Sequence, residues 1–235
     1  MQLPPLFTGR ILKRYKRFLA DVVLDDGRRI TAHCPNTGSM QGCWEEGAPA
    51  QVSYSDNPRR KLAWTLERVD MGQGWIGVHT GRTNPVVEEA IREGLVKSLR
   101  GYRQIRREVT YDPAGMERAR FDLLLSSGRR SDAWIEVKNV TLWQDQALAF
   151  PDAVTERGRK HLQLLSHACE AGFRGVMVFA LNRPEGRFFK PADEIDPTYG
   201  ETLRKVAEQG VELLALRIQH EPQSMQVAGE VPVRL

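Results

Sequence analysis

The chain has 235 residues, 41% hydrophobic and 27% charged, with 20 Gly, 13 Pro, 3 Cys and a formal net charge of +4. Those values exclude a disordered chain and suit one or two globular domains that bury at least one substantial core. No apolar run approaches the roughly 18 residues that cross a bilayer, and the N-terminal stretch, two prolines followed by the basic run from Arg10 to Arg17, lacks the apolar segment of a secretion signal. A cytoplasmic location with no membrane partner is therefore expected. Cys34, Cys43 and Cys169 are an odd number without framework spacing, so reduced thiols are expected.

The charge is unevenly placed. Residues 1–83 carry 12 Lys and Arg against 8 Asp and Glu, whereas residues 84–235 carry 22 of each. A basic first third beside a neutral remainder points to two units, and the usual partner of a basic unit is a polyanion.

In chain order, Arg10–Leu19 fits both a strand and one face of a helix, and a strand is preferred. Phe18–Leu24 and Arg28–Cys34 flank Asp25-Asp26-Gly27 and read as a hairpin. Short strands follow at Ala50–Tyr54, Leu62–Val69 and Gly74–His79, separated by turn residues. Short strands in about 80 residues, with no sustained helical period, predict a small β-barrel of the OB type. From Asn84 the pattern changes: Asn84 reads as an N-cap with Pro85 at the first helical position, opening a helix of about four turns that ends before Gly101. Strands are predicted at Ile105–Tyr111, Arg120–Leu125, Ala133–Val137, Gly175–Leu181 and Val211–Ile218, with helices at Thr155–Ala171 and from Asp196-Pro197 to Gln209. That order predicts an α/β sheet with crossover connections. The expected organisation is thus a barrel over residues 1–83 and an α/β domain over residues 84–235.

The chemistry centres on the second and third of those strands. In a hairpin whose turn centres on Arg129, cross-strand partners number symmetrically about it, so Asp122 opposes Glu136. Lys138 shares the face of Glu136, while Phe121, Leu123, Ile135 and Val137 point to the other side and fill the core. Two opposed carboxylates repel unless a cation lies between them. Hard oxygen ligands beside a lysine suit Mg²⁺ or Mn²⁺. Either Glu88 or Glu89, in the preceding helix, can supply a further acid. On the following helix Glu156 and Lys160, and Arg157 and His161, form two i,i+4 pairs that suit phosphate or water positioning, although a solvated face with ordinary i,i+4 pairing accounts for any single one of them slightly better.

Asp122…Glu136-Val137-Lys138, with a helix before it and a crossover after it, resembles the PD-(D/E)xK nuclease core, with Phe121 where a proline is common. More specifically, the stretches Arg14–Val22, His33–Met40, Ile135–Leu142 and Phe150–Gly158 resemble the bacterial sugar fermentation stimulation protein A family. The resemblance spans essentially the whole chain. It implies an N-terminal OB-fold, a nuclease-like second domain and a DNA-binding role linked to sugar metabolism. Carried over residue by residue, it makes Asp122, Glu136 and Glu89 metal-binding acids and Lys138 the lysine of the core.

Arg10, Lys13, Arg14, Lys16 and Arg17, interleaved with Tyr15 and Phe18, form the best nucleic-acid patch, and Arg59, Arg60 and Lys61 form a second. His33, Cys34 and Cys43 lack the close spacing and fourth ligand of a zinc site. Two readings stand open: a sequence-nonspecific DNA-binding protein with a divalent-metal site that hydrolyses phosphodiesters, and a non-catalytic DNA-binding regulator of sugar (maltose-type) metabolism genes whose acidic cluster is vestigial. Oligomeric state is not legible.

Overall fold

The computed structural model describes residues 1–235. Its first unit contains β1 (Leu6–Tyr15), β2 (Leu19–Leu24), β3 (Arg29–His33), β4 (Pro49–Tyr54), β5 (Trp64–Asp70) and β6 (Trp75–Gly77). The strands lie in the order β3-β2-β1-β4-β5-β6, and a parallel β3–β5 contact closes the first five into a barrel. Period-two alternation places Ala20, Val22 and Leu24 of β2 inside, where they meet Ile11, Val52, Leu66 and Val69. The ambiguous basic segment is strand as far as Tyr15. Lys16 and Arg17 then adopt positive φ (49° and 64°) and turn the chain into β2.

The second unit contains α1 (Thr83–Arg92), β7 (Gln104–Tyr111), β8 (Ala119–Ser126), β9 (Ala133–Val140), β10 (Leu142–Gln144), β11 (Ala147–Phe150), α2 (Glu156–Glu170), β12 (Arg174–Leu181), β13 (Phe188–Pro191), α3 (Pro197–Glu208), β14 (Glu212–His220) and β15 (Met225–Val231). Its main sheet has the order β15-β14-β12-β9-β8-β7, with β9, β12 and β14 parallel at the centre and antiparallel strands on both flanks. The apolar side of α1 (Val86, Val87, Ala90, Ile91) covers one face against Leu123, Ile135, Val137 and Val178. On the other face Leu162, Leu165, Leu203 and Val206, from α2 and α3, pack on Leu124, Met177 and Phe179. β10, β11 and β13 form a separate small sheet.

Several expectations need correction. The first helix starts at Thr83 with Arg82 at its N-cap, so Asn84 is inside the first turn and does not cap it. It ends at Arg92, not near Leu99, because Gly94 takes φ +69° and reverses the chain before a single 3₁₀ turn at Lys97–Leu99. Phe121 leaves the face of Leu123 and joins the α2 side of the sheet. Opposite it the β7 ladder keeps one register, Arg107 with Leu123 and Val109 with Phe121, but skips the step between them, where Glu108 takes φ 52° across from Asp122. The small sheet and β15 have no counterpart in the sequence-based reading. Residues Met1–Leu3 cross to the second unit, where they bond with Gln223 and Met225.

The two units share a dense polar seam. Arg68, 1% exposed, donates to Gln51 Oε1 (2.5 Å) within the barrel and to the carbonyls of Glu221 (2.7 Å) and Pro222 (2.8 Å) across the seam. Gly77 N donates to Asn182 O at 2.8 Å, an approach that leaves no space for a side chain. A Cβ at position 77 would lie 2.2 Å from Asn182 Oδ1, and that amide is itself locked by Asn139 and His220. Gly77→Ala is therefore expected to destabilise the chain by about 2 kcal/mol through overpacking, read as a lower midpoint in urea unfolding; an unchanged midpoint would show that the seam yields.

Candidate active site at the splayed end of a hairpin

The β8–β9 ladder pairs Leu125 with Ala133, Leu124 with Trp134 and Leu123 with Ile135, the register expected for a turn centred on Arg129. It stops one step short of Asp122 and Glu136. There the Asp122 side chain replaces the missing partner, accepting from Val137 N at 2.7 Å through Oδ2 and from Asn84 Nδ2 at 2.7 Å through Oδ1. Burial, and then the charge of Glu136, push the Asp122 carboxyl up to about 6, against the opposing pull of Val137 N–H, Lys138 and Asn84.

Glu136 is 4% exposed. Its Oε1 lies 2.5 Å from Lys138 Nζ and 2.5 Å from His161 Nδ1, the latter a close contact without good hydrogen-bond alignment. Burial pushes this carboxyl up, but His161 and Lys138 together outweigh it and hold Glu136 below the usual range. Its other oxygen, Oε2, is buried with no partner. The edge of Phe121 packs on the His161 ring, which is why the displaced phenylalanine matters here. The Tyr199 hydroxyl is also buried without a partner, and burial followed by the charge of Glu136 raises its pKa well above the ordinary phenol value.

A chain of amides continues from β9 to the seam. Asn139 Oδ1 accepts from Thr83 Oγ1 (3.0 Å) and Asn182 Nδ2 (2.9 Å), and Asn182 Oδ1 meets His220 Nε2 at 2.6 Å. Burial, with Arg68 nearby, depresses the His220 pKa to about 4, so the ring is neutral near pH 7. From the barrel, the loop after β3 reaches the same region: Asp152 Oδ2 accepts from Ser39 N (3.0 Å) and Ser39 Oγ (3.1 Å). A cavity of about 60 Å³ lies between Asn36, Thr80, Asn139 and Asp152.

The structure thus brings together Asp122, Glu136, Lys138 and His161. It does not bring in either glutamate of α1. Glu89 pairs with the Met1 amine at 2.8 Å, and Glu88, 3% exposed, is held by Arg92 and Arg107. Asn84 is the residue that α1 sends to the pair. On α2, Lys160 is tied to Glu117 (2.7 Å) and Arg118 O (3.2 Å), while Glu156 and Arg157 are exposed. The barrel arginines are partly committed to structure: Arg14 donates to the carbonyls of Arg17 (2.9 Å), Asn36 (3.0 Å) and Gly38 (2.9 Å), Arg10 to Gly47 O (2.8 Å) and Arg60 to Thr65 Oγ1 (2.5 Å). Lys13, Lys16, Arg17, Arg59 and Lys61 are exposed. Sequence reasoning missed Asn84 as a site residue because it reads as a cap, and missed Asn139, Asn182 and Tyr199 because nothing local marks them.

No group of three or more His, Cys, Asp and Glu side chains is arranged as a metal cage. The donor set nonetheless fits a hard divalent cation that retains water, since two carboxylates adjoin and Glu136 Oε2 is buried and bare.

The family comparison agrees with both halves of this architecture. The model of the SfsA N-terminal OB domain matches residues 12–78, and that of the sugar fermentation stimulation protein RE domain matches residues 81–224. The chain belongs to the sugar fermentation stimulation protein family. It is 49% identical to the sugar fermentation stimulation protein homolog of Geotalea uraniireducens over 236 residues, covering 100% of each chain, and 49% identical to that of Geobacter metallireducens over the same span. It is also similar to a solved structure, Pyrococcus furiosus SfsA in complex with Ca²⁺, with 27% identity and a TM-score of 0.87 over 100% of this chain and 98% of that one.

The raised Asp122 carboxyl costs stability wherever it is ionised. The cost is absent below the unfolded value of 3.8, grows as pH rises to about 6 and is constant above it. Asp122→Asn, whose amide can still accept from Val137 N–H if Asn84 turns its own, is expected to be more stable than the parent at pH 8 by on the order of 2 kcal/mol. Thermal melts from pH 4 to 8 should show that advantage shrinking towards pH 4; an advantage independent of pH would assign it to packing.

Proposed function

We propose that this chain is a DNA-directed phosphodiesterase that works with Mg²⁺ or Mn²⁺ held by Asp122 and Glu136. The observation that carries the reading is the carboxylate pair at the splayed end of β8 and β9, with Glu136 Oε2 buried and unpartnered beside Lys138. The similar Pyrococcus furiosus SfsA structure is in complex with Ca²⁺, which supports a divalent cation for this chain.

When bound, the cation supplies Lewis-acid neutralisation of phosphate charge. The chain's own residues do the rest. Lys138 Nζ, 16% exposed, presents a positive charge and proton donors at the mouth of the pair, where they orient an attacking water and stabilise charge on the scissile phosphate. His161 and the Phe121 ring, on the α2 side of the sheet, fix the rotamer of Glu136. Asn84 and the Val137 N–H hold Asp122 in place, so neither carboxylate must reorganise on substrate arrival.

The second reading, a DNA-binding regulator of sugar-metabolism genes without catalysis, is favoured by one observation: α1 contributes Asn84 and no acid to the pair, its two glutamates being paired elsewhere.

Incubation of plasmid and oligonucleotide DNA with Mg²⁺ or Mn²⁺ separates the two. Cleavage that falls about 100-fold or more in Asp122→Ala, Glu136→Ala and Lys138→Ala, a loss typical of removing one charge-stabilising group, supports the phosphodiesterase. Absence of metal-dependent cleavage, together with no heat of cation binding in calorimetry, leaves the regulator.

A further inference from the structure

The second unit is neutral in sum, but its charges are segregated. Residues 97–107 hold Lys97, Arg100, Arg103, Arg106 and Arg107 with no acidic residue between them, and the turn between β8 and β9 adds Arg129 and Arg130. The fold joins these two segments into one groove of about 820 Å³, lined by Arg100, Tyr102, Arg103, Ser127, Arg129 and Arg130. All four arginines are exposed, and none belongs to any of the chain's ion pairs. Like charges crowded this way repel one another, a cost that a bound polyanion offsets.

The groove is also rigidly built. Arg130 donates to Ser98 O (2.9 Å) and Tyr102 Oη to Ser131 O (2.7 Å), so the two loops are pinned across their base, while Arg100 braces its own loop through Gly94 O (2.5 Å). Beneath them Arg174 joins Ser98 O (3.0 Å) to the Tyr102 hydroxyl (2.8 Å), its own charge answered by Glu212.

We infer that this groove is a docking surface for the phosphate backbone of duplex DNA, separate from the acidic centre and from the barrel. The inference rests on the DNA reading above and names where the duplex is held. A duplex is favoured over an unstacked single strand because the groove offers cations but no free ring for a base. Its one aromatic residue, Tyr102, has Gly128 packed against the ring, where a Cβ would lie 2.9 Å from Cδ1, and the Arg174 guanidinium over it at 5.9 Å. Along β8 the turn begins five residues beyond Asp122, about 16 Å at strand rise, which spans about five base pairs of B-form axis. One duplex can therefore rest on the arginines while a phosphate further along it reaches Asp122 and Glu136.

Arg103 and Arg129 suit the test because neither side chain hydrogen-bonds within the chain, so R103E/R129E should fold normally, as circular dichroism and the melting temperature can verify. Fluorescence anisotropy of a labelled duplex, in EDTA so that no cleavage intervenes, is measured across a salt series for the parent, for R103E/R129E and for the milder R103Q/R129Q. Affinity is expected to fall about tenfold or more in the charge reversal, with the log–log salt slope shallower by about 2 in both variants. Hydrolysis of bis(p-nitrophenyl) phosphate, too small to span the two places, should be unchanged. Parent binding with unaltered affinity and slope in both variants overturns the inference alone. A parent that binds no DNA overturns the DNA reading itself. Tighter parent binding to phosphatidylserine vesicles than to duplex, lost in R103E/R129E, reassigns the groove to an anionic lipid surface and likewise overturns the inference.

Discussion

Glu136 sits on β9, between β8 and β12 in the middle of the six-stranded sheet, with only 4% of its surface exposed. An ionised carboxylate in that position requires cationic and hydrogen-bonding partners at contact distance. Lys138 is two residues away on the same strand and His161 comes from the helix above, and together they keep Glu136 ionised. The negative charge so fixed then acts on Asp122, which has no comparable cation of its own and is driven towards protonation. One carboxyl is held low and its neighbour is raised, and this asymmetry follows from Lys138 and His161 both lying against Glu136.

Strand pairing and site geometry are the same event at this point. A continuous ladder would seal Asp122 and Glu136 against each other. The irregular backbone at Glu108 on β7 and the displaced Phe121 on β8 fall just where the ladder to β9 ends. Asp122 then satisfies a backbone N–H that the sheet leaves free, so the carboxylate is positioned by the need to pair Val137 N–H.

The barrel is a wall of this site, not an appendage. Arg68 is buried at the seam with its guanidinium committed to two carbonyls of the second unit, and Gly77 lies so close to Asn182 that only hydrogen fits. Ser39, in the loop that Arg14 holds together from below, closes onto Asp152. Basic residues of the barrel therefore act partly as internal scaffolding, while the exposed arginines of the second unit project a field into solvent that can steer a polyanion.

Much of this architecture is legible in the amino-acid sequence. The barrel, the α/β unit, the hairpin register about Arg129 and the meeting of Glu136 with Lys138 follow from local rules, since alternation and turn chemistry act over a few residues. The end of α1 at Gly94, the switch of Phe121 to the other face and the choice of Asn84 over Glu88 and Glu89 do not. Gly94 is a local stop that the longer apolar period overrode, whereas the other two depend on what lies opposite in space: Arg107 and Arg92 claim Glu88, the Met1 amine claims Glu89, and Phe121 packs on Tyr111, Trp134 and His161. The net charge of +4 is the least informative quantity, because a sum over sequence cannot see that loops 97–103 and 127–130 meet. The sequence by itself determined the barrel, the helices and central strands of the second unit, and which groups can ionise; the tertiary structure decided which of those groups are buried together, and burial, by removing water, is what gives a charge its partner and its consequence.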